Sequence, residues 1–149
     1  MKLRLTDPDI AAAAGRIGAV ADGPESGLVF EPRRQLLTWT EAEDELAEAF
    51  ELTRAAASDA APVVYLVRSS ALLGRADPLD AAVATGLLGG ARALAFEGRK
   101  NESFATVVAI GDGVKPQIVV EAIELLVATR GANGQTFTLG AEHLGAALP

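Results

Sequence analysis

The feature that most constrains this chain is the run Val63-Val64-Tyr65-Leu66-Val67, introduced by Pro62. An unbroken apolar stretch rich in β-branched residues reads as a strand buried on both faces. Phe104 to Ile110 is a second run of this kind, ending at Gly111-Asp112-Gly113. Strands buried on both sides need helices above and below, and the intervening segments supply helical patterns. The class is α/β, with a mostly parallel sheet of about five strands flanked by helices.

The remaining elements follow from local signals. Lys2 to Leu5 is a short opening strand, and Thr6-Asp7-Pro8 is a helix start leading into Ala11–Ala21. Leu28-Val29-Phe30 is a second strand. A helix is expected from Thr40 to Ser58, with Thr40 and Glu43 forming a capping box and Leu46, Ala49, Phe50 and Thr53 forming its apolar stripe. A helix over Leu79–Phe96, one over Gln117–Thr129 and a strand over Gln135–Leu139 complete the series. The expected spatial order is 2–5, 28–30, 63–67, 104–110, 135–139, with right-handed crossovers. On that rule the helices at 9–21, 41–58 and 79–96 share one face. No linker or repeat interrupts the chain, so residues 1–149 read as one domain.

Composition removes several functional classes. Thirteen basic residues stand against twenty acidic ones, a net charge of −7, which argues against nucleic acid. The absence of cysteine excludes disulfides and thiolate chemistry. No unbroken apolar run approaches 18 residues, so no membrane partner is expected. The opening MKLRLTDPDI has no apolar core of a signal peptide, and a cytoplasmic location is expected. Glu41, Glu43, Asp44, Glu45, Glu48 and Glu51 read as the solvated face of a helix.

Candidate chemistry is sparse. Residues 11–18 echo a glycine-rich nucleotide loop, but Gly15 and Gly18 fall inside a helical run already begun at Pro8. The single histidine, His143, has no companions to form a catalytic set. Asp77, Asp80 and Asp112 lack metal-ligand spacing, and no metal is expected. Ser69 and Ser70 end the central strand, where open α/β sheets place ligands. With Arg33, Arg34, Arg68 and Asp112 they outline a ligand crevice. The 79–96 helix is nearly uncharged and rich in alanine and glycine, which requires cover on more than one side. An interface is therefore expected at Leu79, Val83, Gly86, Leu87, Gly89, Gly90 and Ala93, with Phe50 contributing from the preceding helix.

Set side by side, these segments resemble the short-chain dehydrogenase/reductase family. Residues 63–70 are similar to its strand ending in the catalytic serine, and 86–95 to the helix that follows its tyrosine and lysine. Residues 106–111 and 133–139 are similar to its last two strands, 52–55 to the helix before the central strand, and 5–8 to the exit of its third strand. The resemblance implies a truncated Rossmann-like sandwich that begins at the family's third strand.

The departures are as informative as the likeness. The family's glycine-rich cofactor loop has no counterpart, its tyrosine falls on Asp80 and its lysine on Ala84. Its helix asparagine falls on Glu45 and its adenine-contacting aspartate on Arg4. Its Asn-Asn-Ala-Gly segment is replaced by Glu31-Pro32-Arg33-Arg34, and only the serine, Ser70 or Ser69, remains. An ionised aspartate cannot donate the proton that ketone reduction needs. The resemblance thus implies a non-catalytic subunit with no cofactor. Its partner would be a complete short-chain dehydrogenase, or further copies of itself. The alternatives are a small-molecule or acyl-thioester binding module, or an oxidoreductase component active only within a hetero-oligomer.

Overall fold

The computed structural model describes residues 1–16 and 27–141, the side chains of 100 and 101 excepted. Five strands form one all-parallel sheet: β1 (Lys2–Arg4), β2 (Leu28–Phe30), β3 (Val63–Arg68), β4 (Ala105–Ile110) and β5 (Thr136–Leu139). Their spatial order is β1-β2-β3-β4-β5, as the sequence led us to expect. β1 and β5 are therefore the edges, and the two six-residue strands β3 and β4 lie inside. The helices are α1 (Pro8–Arg16), α2 (Trp39–Ser58), a four-residue α3 (Ser69–Leu72), α4 (Pro78–Glu97) and α5 (Pro116–Thr129). A 3₁₀ turn (Gly98–Asn101) follows α4.

Alternate residues of the interior strands feed two separate cores, as a period of two requires. Val63, Tyr65, Val67, Val107 and Ala109 pack beneath α2 and α4. Val64, Leu66, Val108 and Ile110 pack beneath α1 and α5. The helix after β1 therefore lies opposite the helix after β2, although the strands step in one direction. The expectation that the first three long helices share a face is overturned. The apolar second face has its own cover: Ile10, Ala13 and Ala14 of α1 and Val119, Val120, Ile123 and Leu126 of α5. It makes no demand for a partner.

Two local expectations also need correction. The capping box is built by Thr38 and Glu41, two residues earlier than expected. Thr38 Oγ1 accepts from the Glu41 amide at 3.2 Å, and Glu41 Oε2 accepts from the Thr38 amide at 3.0 Å. Both Thr-x-x-Glu pairs fit the pattern, but Thr38 has the extended backbone a cap needs, with φ −134°. The α2 stripe is displaced as well. Ala42, Glu45, Ala49 and Ala56 are its buried residues, while Phe50 is 65% exposed.

By length and composition α4 could cross a membrane, a property that counting unbroken runs overlooked. Here Val83, Ala84, Leu87, Leu88 and Ala91 pack it onto the sheet as a core helix.

Candidate functional site

The C-terminal ends of the strands open into a crevice of about 610 Å³. Parallel sheets place ligands at this end because loops and helix N-termini converge there. Five of the expected residues, Arg33, Arg34, Arg68, Ser70 and Asp112, do line it, as do Asp80 and Ala84. Ser69 is fully buried at the start of α3 and does not line the crevice. His143, Gly18 and residues 17–21 of the first expected helix lie outside the described residues. Among the described residues no group of acidic or histidine side chains could hold a metal.

The positions aligned with family chemistry are tied into the scaffold. Glu45, 1% exposed, accepts from Arg4 Nη2 at 2.8 Å, from the Arg33 side chain, and from the Arg33 amide at 2.9 Å. Arg4 also reaches Glu48 Oε2 and the Glu31 carbonyl, and its guanidinium lies 4.8 Å from the centre of the Phe30 ring. Burial raises the Glu45 carboxyl, but the bonds from Arg33 and Arg4 outweigh it and hold it below the usual range. The residue read as part of a solvated acidic face is thus a buried clasp joining β1, the β2–α2 loop and α2. A spacing of three and four from Ala42 and Ala49 was the available signal, masked by the run of surrounding acids.

Asp80 makes a second clasp. Its two oxygens accept from the Gln35 amide at 2.8 Å and the Leu36 amide at 3.1 Å. The β2–α2 loop is therefore pinned to the first turn of α4. Asp77 caps that helix by accepting from the Leu79 amide. Ala84 is buried and presents only a methyl group to the crevice.

A nicotinamide dinucleotide would need free amides at the helix following the first strand. Glu31, 3% exposed, accepts from the Thr6 and Asp7 amides at 2.9 Å each. Asp7 Oδ1 accepts from the Asp9 and Ile10 amides at 3.0 and 3.3 Å. Burial raises the Asp7 carboxyl, yet those amides, with Arg68 and Arg34, lower it on balance. A pyrophosphate placed there would meet two carboxylates already engaged with its donors. The amides at the start of α1 are therefore not available to a pyrophosphate.

A second concavity, about 410 Å³, lies between α2 and α4 on the sheet's other flank. Leu46, Ala49, Phe50, Gly86, Gly90 and Ala93 line it, and Tyr65 forms part of its wall, its hydroxyl 2.6 Å from Thr53 Oγ1. Of the expected interface residues, Phe50, Gly86, Gly89, Gly90 and Ala93 are exposed. Val83 and Leu87 belong to the core and Leu79 is half-buried.

No family model and no curated protein matches this chain. Among solved structures, a 4-hydroxyisoleucine dehydrogenase complexed with NADH and succinate matches with a TM-score of 0.62. It is 17% identical, and the match covers 90% of this chain and 77% of that one. The chain has a Rossmann-like, dehydrogenase-type fold. At that identity the likeness carries the fold alone.

Proposed function

We propose that this chain is a non-catalytic relative of the short-chain dehydrogenases that acts as an assembly subunit. The observation that carries the reading is the engagement of Asp80 and Glu45. Both stand where the family resemblance puts catalytic groups, and both have their oxygens bound to scaffold amides or guanidiniums. An aspartate whose two oxygens both accept from backbone amides lacks the freedom to act as a general acid. The occupied amides at the start of α1 point the same way for the cofactor.

The assembly face would be the exposed side of α2 and α4, where Phe50, Gly86, Gly89, Gly90 and Ala93 offer an apolar, small-residue surface. The partner would be a second copy or a complete dehydrogenase of the same fold, within the cytoplasm and without nucleic acid or membrane. Calorimetry with NADH and NADPH tests the first half: no saturable heat is expected, and micromolar binding of either sinks the reading. Purification from the native host with identification of co-eluting chains tests the second.

A further inference from the structure

We infer that the crevice at the strand ends is a binding site for a small oxyanion, a carboxylate or phosphate group borne on a small molecule. Two carboxylates line the crevice, Asp80 and Asp112, and of these Asp80 is already engaged, as are Glu45 and Asp7 behind its wall. Glu45 is held by Arg4 and Arg33, Asp80 by the Gln35 and Leu36 amides, and Asp7 by Arg68 at 2.8 Å and by the amides of α1. The donors are not used up in the same way.

Arg33 binds Glu45 through its Nε, and its side chain is 49% exposed. Arg34 lies 3.6 Å from Asp7 Oδ2, beyond hydrogen-bond reach, and its side chain is 48% exposed. Among the described residues the Arg34 side chain makes no hydrogen bond. Ser70, half-buried on the same wall, adds a hydroxyl. The spare capacity of the crevice is therefore in donors, two of them planar guanidiniums suited to paired oxygens. Asp112 is the exposed exception, and its charge opposes an anion. The inference concerns the crevice alone and stands or falls separately from the assembly face.

The test is titration of the full chain with inorganic phosphate and, separately, with malonate, followed by amide chemical shifts. Saturable binding of one anion per chain is expected, with shifts confined to residues 32–36, 68–71 and 112. Preference for phosphate or malonate identifies which group the natural ligand carries. Arg34→Gln should weaken binding about tenfold, the effect of losing one charge-assisted contact. Asp112→Asn should strengthen it, and Arg54→Gln, on the α2–α4 side, should leave it unchanged. Shifts that do not saturate, or equal weakening by Arg34→Gln and Arg54→Gln, would overturn the inference.

Discussion

The crevice at the strand ends and the outer face of α2 and α4 are built on opposite principles. In the first, most buried charges and amides have partners within the chain. In the second, Phe50 and a row of small residues face outward with no counterpart of their own. The difference separates what the chain does for its own fold from what it offers to others. The buried part of a polar site satisfies itself and becomes scaffold, leaving the exposed guanidiniums of Arg33 and Arg34 for a ligand, whereas an apolar surface left open becomes an invitation to association.

The comparison can be broken first at Glu45. Replacing it with alanine removes the buried acceptor shared by the Arg4 and Arg33 side chains and the Arg33 amide, and should cost about 3 kcal/mol. Thermal unfolding should fall by roughly 10 °C. The exposed Glu48→Ala change should stay under about 1 kcal/mol. Equal effects would mean that the clasp is a surface pair in disguise.

The next largest effect is expected on the other region. A charge introduced by Gly89→Asp, at an exposed helical position where an added Cβ would meet nothing within 4 Å beyond its own helix backbone, should leave the fold intact. It should weaken any α2–α4 assembly by at least about tenfold, or 1.4 kcal/mol. Sedimentation equilibrium reads this directly, and a stable 15.3 kDa species before mutation would remove the second copy as partner.

Asp80→Ala should cost about 1–2 kcal/mol through two lost hydrogen bonds to amides. Faster hydrogen exchange at Gln35 and Leu36, with α2 unaffected, is the specific signature. Unchanged exchange would show that the loop is held by something else.

The smallest effect is a pH dependence. Glu45 and Asp7 are held below their ordinary values of 4.5 and 3.8, so they bind fewer protons folded than unfolded. Their contribution is present above those values and is lost as pH falls through the lowered folded values. Chemical denaturation from neutral pH downward should show this acid limb, and Glu45→Gln should make it shallower.

Sequence reading recovered the sheet because its signals are local. The runs at 63–67 and 104–110 identify themselves, and proline, glycine and spacing place the helices between them. It missed what depends on distant pairs. Nothing in the spacing of Arg4 and Glu45 announces that they meet, and Glu45 was hidden among acids that do face solvent. The placement of α1 was missed for a related reason. Handedness rules describe a strand pair in isolation, whereas this helix lies where an uncovered apolar face needed it. The crevice residues were partly legible because the ends of parallel strands converge whatever the loops contain.

The short outer strands have a consequence for how copies of this chain can meet. β1 and β5 contribute three and four residues to the sheet, against six for each strand of the central pair. Lys2 and Arg4 direct their backbone groups toward β2, so Leu3 presents the open amide and carbonyl of that rim, with a charged side chain on either side. Such a rim is a poor template for strand addition. The long apolar strands that could seed cross-chain ladders are sealed inside. Contact between folded copies is thereby steered away from backbone pairing and toward side chains on helices, and concentrated samples should gain no intermolecular β signal in the infrared.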